Sequence, residues 1–147
     1  MGNNSRFPIT INDMRLTRIP ADLIAQKWPE IEPFLSSGLE WSHGDFSSEH
    51  AKVYLTTNQW VLIGVFDGIE LKGAMTVSFS NLPNDRVAFI TAIGGKNITS
   101  KDTFEQFRAI LKALGATKIQ GSVRQSVARL WRRLGFHERS IIVEQRI

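Results

Sequence analysis

The sequence predicts an α+β domain of layered α/β/α form, with a central mixed, mostly antiparallel sheet and helices on both faces. Three observations predict it. Two runs of strand length, Trp60 to Phe66 and Val87 to Ile93, are almost unbroken apolar sequence, the pattern of strands covered on both faces. Two later segments, Ser100 to Leu114 and Gln125 to Leu134, keep apolar residues at helical spacing among charged ones. The three central strands are separated by turn residues only, so they form antiparallel hairpins.

Taken in order, Arg15 to Ile19 alternates polar and apolar residues and is expected as an edge strand ended by Pro20. Ile24, Trp28, Ile31 and Leu35 keep helical spacing, but Pro29 and Pro33 each remove a backbone donor. The expectation is therefore a short helix to about Lys27 and a second one opened by Pro29, kinked at Pro33 and ended by Gly38. Glu40 to Phe46 is irregular, with Trp41, His43 and Asp45 as its polar or aromatic points. Ser47 caps a further helix to about Thr57, with Glu49 near its positive end. Asp67-Gly68 marks a tight turn between the Trp60 strand and a strand from Leu71 to Ser80, whose Met75, Val77 and Phe79 share one face. Asn81 to Asp85 is turn chemistry, and the strand after it stops at Gly94-Gly95.

A polar loop then leads to a helix from about Ser100 to Leu114, with Phe104, Phe107, Leu111 and Leu114 inward and Gly115 as its stop. Lys118 to Val123 is a short strand. In the last helix Val127, Leu130, Trp131 and Leu134 form the apolar stripe, while Arg124, Arg129, Arg132 and Arg133 lie mostly off it. Gly135 takes the left-handed stop and Phe136 folds back as its hydrophobic partner. Ser140 to Val143 closes the chain as a strand.

The chain of 147 residues fits one domain, 1–147, with residues 1–13 as a flexible N-terminal arm. At 42% hydrophobic residues it is of soluble globular type, and no apolar run reaches the length of a membrane span. The polar N-terminus lacks the apolar centre of a signal peptide, and its Met-Gly start misses the usual myristoylation spacing. The absence of cysteine removes disulfides, thiolate nucleophiles and zinc–thiolate sites. A net charge of +4 suits an anionic partner, whether phosphorylated cofactor, nucleic acid or acidic protein, and equally suits solvated surface.

The closing helix, its Gly-aromatic stop and the terminal strand resemble the final segment of the GCN5-related N-acetyltransferase (GNAT) fold. There an Asn-x-x-Ala-x-x-Leu-Tyr-x-x-x-Gly-Phe helix lies beside coenzyme A. The element order matches the GNAT topology along essentially the whole chain. Leu16-Thr17-Arg18-Ile19-Pro20, Trp28-Pro29, Glu32-Pro33-Phe34-Leu35 and Val65-Phe66-Asp67-Gly68 resemble the small GNAT-like proteins of tailed phages.

The resemblance implies acetyl-CoA as cofactor, an amine as acceptor and direct transfer within one ternary complex. The cofactor's pyrophosphate would rest on a turn entering a helix, here Gly94, Gly95, Lys96, Asn97, Thr99, Ser100 and Lys101, with Gln125 bonding a pantetheine amide or simply capping the last helix. Backbone N–H groups near Ile93 and Gly94 would stabilise the oxyanion. This sequence departs from the family in two places. It lacks the Arg/Gln-x-x-Gly-x-Gly/Ala turn, with Thr99 and Asp102 at capping-box spacing instead, and it has Trp131 where the family's acid is Tyr. Asp45 and Glu70, with His43 and Glu40, are the candidate bases, being loop or strand-start carboxylates and an imidazole. His43, Asp45 and His50 lack the further paired ligand that a metal site needs, and no metal is expected.

A second expectation follows from those departures: a phage protein that keeps the fold without catalysis and serves in the virion, in assembly or against host proteins. A third is nucleic-acid binding by the basic helix. The expected location is the cytoplasm of a bacterial host cell or the virion, and a homodimer through the terminal strand is an open arrangement.

Overall fold

The computed structural model describes residues 14–40, 42–95 and 100–147, so the expected arm at residues 1–13 lies outside them. Five strands form one sheet in chain order: β1 (Met14–Ile19), β2 (Trp60–Asp67), β3 (Glu70–Asn81), β4 (Arg86–Gly95) and β5 (Lys118–Gly121). The first four are antiparallel neighbours and β5 joins β4 in parallel, which makes the sheet mixed. Helices α1 (Ala21–Leu39) and α2 (Ser48–Thr56) cover one face, and α3 (Lys101–Ala113) and α4 (Gln125–Arg132) cover the other.

The alternation of β2 sorts the core into two clusters. Val61, Ile63 and Val65 point to α3 and α4, where Phe107, Leu111 and Trp131 meet them. Trp60 and Leu62 point to α1 and α2, where Ile24, Trp28, Ile31, Leu35 and Leu55 meet them. Both faces are therefore dry, as the unbroken apolar run requires. None of the described helices is long and apolar enough to cross a membrane.

Helix α1 corrects the first expectation. It runs unbroken through Pro29 and Pro33, and Gly38 lies inside it rather than at its end. The two prolines fall four residues apart on the outer side, and the carbonyls their rings displace belong to the exposed residues Ala25 and Pro29. Two interior prolines cost about 6 kcal/mol, whereas burying Ile24, Trp28, Ile31, Leu35 and Leu39 contributes on the order of 8–15 kcal/mol. Burial wins, and the helix continues.

Local stop and start signals match the expectations closely. Ser47 caps α2 in a reciprocal capping box whose second member is His50, with the Ser47 N–H donating to His50 Nδ1 at 3.1 Å. After α4, the Gly135 N–H donates to the Arg132 carbonyl and the Phe136 N–H to the Trp131 carbonyl, a Schellman stop with Gly135 at φ 99°. The Phe136 ring lies 4.9 Å from Trp131, which is the hydrophobic contact that such a stop carries. Within α4 the apolar stripe is narrower than expected, because Leu130 is 49% exposed and only Trp131 is buried.

The closing strand is a second correction. Ser140 to Val143 pairs with no described strand, and Ile141, Ile142 and Val143 are 89%, 76% and 87% exposed. A β-branched run has strand propensity, but a strand exists only against a partner edge.

Candidate functional site

The feature of the sheet that offers a site is the parting of β4 from β5. The two pair from Val87↔Lys118 to Ile90↔Gly121 and no further, while β4 continues to Gly95. At the point of parting β4 carries a bulge. Val77 of β3 opposes Ile90 and Thr76 opposes Ala92, leaving Thr91 without a counterpart. The extra residue reverses the alternation, so that Ala92 joins the α1/α2 side and Ile93 joins Ile90 on the α3/α4 side. Beyond it, alternate residues of β4 turn their backbone groups toward the edge that β5 has left. Thr91 is tied down by its hydroxyl, 2.6 Å from that of the fully buried Thr76.

Helices α3 and α4 each follow one of the parting strands within a few residues, so both N-termini lie at the mouth of the opening. Below the mouth, between the sheet and these helices, is a small apolar cleft of about 20 Å³. Met75, Ile90, Ile93, Phe104, Trp131 and Phe136 are among its lining residues. Trp131 is one of its walls. A Cβ on Gly121 would lie 2.7 Å from the indole, so the end of β5 admits that ring only because Gly121 has no side chain. Phe136 packs on Trp131 at a tilt of 42° and meets Phe104 edge-on at 5.4 Å, closing the aromatic cluster.

The residues expected to bind or catalyse are distributed as follows. Ile93, Gly94 and Gly95 are the last three residues of β4, inside the strand rather than in a turn after it. The two glycines have packing reasons. A Cβ on Gly94 would fall 1.8 Å from the Phe34 carbonyl oxygen of α1, and Gly95, at φ 123°, faces the Lys72 carbonyl and Gly73 of β3. Gly38 completes the contact, since its Cβ would lie 2.6 Å from the Ile93 carbonyl oxygen. Helix α1 thus rests backbone to backbone on the segment that edges the opening.

Lys96, Asn97 and Thr99 lie outside the described residues. Ser100 is the N-cap of α3, where its hydroxyl accepts from the Thr103 N–H at 3.2 Å and donates to the Thr103 hydroxyl. At least one N–H at this positive end is therefore taken, and Asp102 adds negative charge to the first turn. Lys101 is exposed at the first helical position. The N-terminus of α4 is different in kind: its cap residue Arg124 makes no side-chain cap and no acidic residue stands in its first turn. Gln125 does not cap this helix; it occupies the first helical position and is exposed. Counted back from Gly135, the leading position of the resembled motif falls on Arg124.

The candidate bases are not brought together. Asp45 and His43 lie in the exposed loop before Phe46, whose ring packs on Trp60 at the first residue of β2. Glu70 opposes Asp67 at the last residue of β2 and pairs with Lys72 at 3.1 Å. The length of β2 separates the two groups by roughly 20 Å. Glu40 is the exposed C-cap of α1. His50 is engaged in the capping box, and the described residues contain no group of three or more His, Asp or Glu able to hold a metal. On the basic helix, Arg132 is paired with Glu138 at 3.3 Å.

Two parts of the site carry no sequence signal, the Thr91 bulge and the rest of α1 on β4, and neither does Gln106 on the far side of the sheet. The Gln106 side chain accepts from the Leu16 N–H at 2.9 Å and donates to the Met14 carbonyl, tying α3 to the outer edge strand β1.

No protein-family model matches the chain, and no curated protein matches it. Solved structures do. An aminoglycoside acetyltransferase, meta-AAC0020, from an uncultured soil metagenomic sample in complex with sisomicin, is 11% identical with a TM-score of 0.68, over 91% of this chain and 96% of that one. A predicted acetyltransferase from Clostridium acetobutylicum with acetyl-CoA is 12% identical with a TM-score of 0.60, over 90% and 96%. AAC(6')-Iy in complex with a CoA-linked bisubstrate analogue is 14% identical with a TM-score of 0.62, over 92% and 100%. At these identities the likeness speaks for architecture alone. A mixed sheet with two helices on each face, matching these enzymes over nine-tenths of the chain, gives this protein the fold of the GCN5-related N-acetyltransferases.

Proposed function

We propose that the opening between β4 and β5 binds acetyl-CoA and that the protein transfers the acetyl group to an amine. The observation that carries the proposal is the bulge at Thr91, where β4 leaves β5 and exposes its backbone edge above an apolar cleft. The residues present suit the cofactor in part. The apolar cleft is small, with room for about one methyl-sized group, and backbone groups near Ile93 and Gly94 offer N–H donors where charge develops on a carbonyl oxygen. Lys101 and the uncapped N-terminus of α4 are the cationic features available to phosphates. When bound, acetyl-CoA supplies an activated acetyl group, whose C–N bond to the amine forms as its C–S bond breaks. Among the described residues none is placed to carry an acyl intermediate. Of the candidate bases, Glu70 stands three residues beyond Gly73, which opposes Gly95 at the end of β4. The acceptor amine's proton passes to Glu70 or to water. The location that goes with this reading is the cytoplasm of a bacterial cell.

Titration calorimetry with acetyl-CoA and with desulfo-CoA tests this, using Lys101→Glu as the control. A glutamate at the first position of a helix is favourable to folding but opposes a phosphate. The expected result is saturable binding of both ligands, weakened about tenfold in Lys101→Glu at an equal or higher melting temperature. No heat at millimolar ligand would sink the proposal. Gly95 is unsuitable for this purpose, because any side chain there collides with β3.

A second reading is favoured by Trp131. At 7% exposure, beneath Phe136, it leaves no acid at the position where the resembled family has one. On this reading the chain is a phage protein that retains the fold as a virion, assembly or host-interaction component, and it would show no heat in the same titration.

A further inference from the structure

We infer that the outer face of α4 binds the phosphate backbone of duplex DNA. The charge of the chain is concentrated around this helix. Residues 118–147 hold seven Lys and Arg against two Glu, a net of +5, which exceeds the +4 of the whole chain and leaves the first 117 residues at −1. Six of the seven cations are arginine, whose planar fork suits phosphate oxygens. The helix then sorts them by face. Trp131 is buried and Val127 and Leu134 are half-buried, so at about 100° per residue the opposite side is centred on Arg129 and flanked by Arg132 and Arg133, all three exposed. Arg132 meets Glu138, whereas Arg129 and Arg133 take part in none of the ion pairs among the described residues. They stand one turn apart, and like charges at that spacing weaken a helix. An anion laid across the face relieves the repulsion.

Surface chemistry and size select the partner. The centre of the face is charged throughout, with Gln125 and Ser126 as its other exposed polar groups and no acidic residue in α4. A protein partner needs an apolar centre from which water is excluded, and this face has none. A phosphate backbone needs only cations and hydrogen-bond donors. Among the described residues the exposed large hydrophobics include no aromatic ring, so unpaired bases find no surface to stack on and a duplex is favoured over a single strand. The eight residues of α4 span about 12 Å, close to the width of the major groove of B-DNA, so its arginines reach phosphates along the groove's rims. The rest of the molecule orients it. The segment from Pro20 to His50, which holds α1 and the start of α2 on the opposite face of the sheet, carries six Asp and Glu against one Lys. A polyanion therefore meets α4 first and repels the other side.

Fluorescence anisotropy tests this, with the full chain titrated into a labelled 20-bp DNA duplex, the matching single strand and labelled poly-glutamate. The expected result at 50 mM salt is saturable binding of the duplex and weaker binding of the other two. Three neutralised phosphates give a slope of about −2.7 in log K against log salt, so binding should weaken about 40-fold between 50 and 200 mM. The double variant Arg129→Gln/Arg133→Gln leaves one of the three contacts. It should bind at least tenfold more weakly, with a slope near −1, at an equal or higher melting temperature, because the like-charge pair is gone and glutamine is a good helix former. Arg129→Lys/Arg133→Lys should keep the natural slope. A glutamine variant that binds the duplex as tightly as the natural chain overturns the inference. So does poly-glutamate bound as tightly as the duplex, which means an acidic protein is the partner, or a single strand preferred to it. A natural chain at 100 μM that shows no binding in 50 mM salt, or a salt slope shallower than about −1, overturns it without any variant.

Discussion

Replacing Gly38 by alanine sets two physical effects of opposite sign against each other, and the structure decides between them. Gly38 is the next-to-last residue of α1, with ordinary helical backbone. On helix propensity alone, Gly→Ala there should stabilise by about 1 kcal/mol. The added Cβ, however, would sit 2.6 Å from the Ile93 carbonyl oxygen and 2.9 Å from its carbon and nitrogen. Ordinary contact begins near 3.4 Å, so α1 and the end of β4 must separate by most of an ångström, and both partners are backbone. Overpacking of this kind costs about 1–3 kcal/mol, with the rigid backbone favouring the upper part. The net expectation is destabilisation by about 1–2 kcal/mol, a fall of roughly 2–8 °C in melting temperature for a domain of this size. Urea denaturation followed by Trp fluorescence measures it, and the slope should be unchanged, since the unfolded surface is the same. A variant as stable as the natural chain, or more so, would refute the backbone contact. It would also remove the packing reason for Gly94, whose Cβ would approach Phe34 more closely still.

Two further perturbations test other joints of the fold. Arg86 donates to the Leu114 carbonyl at 3.1 Å and to Asn81 at 2.9 Å, and stacks 4.3 Å above Phe79, so Arg86→Ala should cost about 2–3 kcal/mol in chemical denaturation, with Arg86→Lys recovering only part of it. Hydrogen bonds from Thr117 and Lys118 hold the Asp85 carboxyl below the usual carboxylate range. A carboxyl with a lowered folded pKa stabilises above its unfolded value near 4 and loses that contribution as pH falls through the folded value. Asp85→Asn should therefore flatten the acid limb of a stability–pH curve measured below about pH 4 while leaving its shape at neutral pH unchanged.

What can be read from the sequence is whatever is decided within a few residues. The Ser47 cap, the Gly115 and Gly135 stops and the Gly68 turn depend on local backbone chemistry and appear where expected. The doubly buried strands also appear, because a continuous apolar run carries its own burial information. The failures have the opposite character. Pro29 and Pro33 are local objections to a helix, and they are outweighed by contacts with strands distant in sequence. Ser140 to Val143 has local strand character, yet it pairs with no described strand. Gly94 of β4 is visible as a residue, yet its cause is the approach of α1, some sixty residues earlier in the chain. A bulge such as that at Thr91 has no composition of its own, so resemblance alone places the opening from sequence, and only the folded strands give it a physical cause.

That distinction bears on Trp131, the strongest argument against catalysis. An indole cannot protonate a departing thiolate, but the size of the loss depends on how much help the thiolate needs. A free thiol has a pKa near 8.5, so its thiolate is a tolerable leaving group at neutral pH and water can protonate it afterwards. General acid catalysis is worth roughly 10²–10⁴ where the leaving group is poor, and less here. Trp131→Tyr returns a phenol to the position within the same aromatic cluster, where Phe136 and Gly121 still surround the ring. In an acetyl-transfer assay the variant should stay within about tenfold of the natural chain, with the pH profile little changed. A gain of a hundredfold or more would mean that protonation limits the reaction and that Trp131 is a true impediment, which would shift the balance toward a chain that keeps the fold for another purpose.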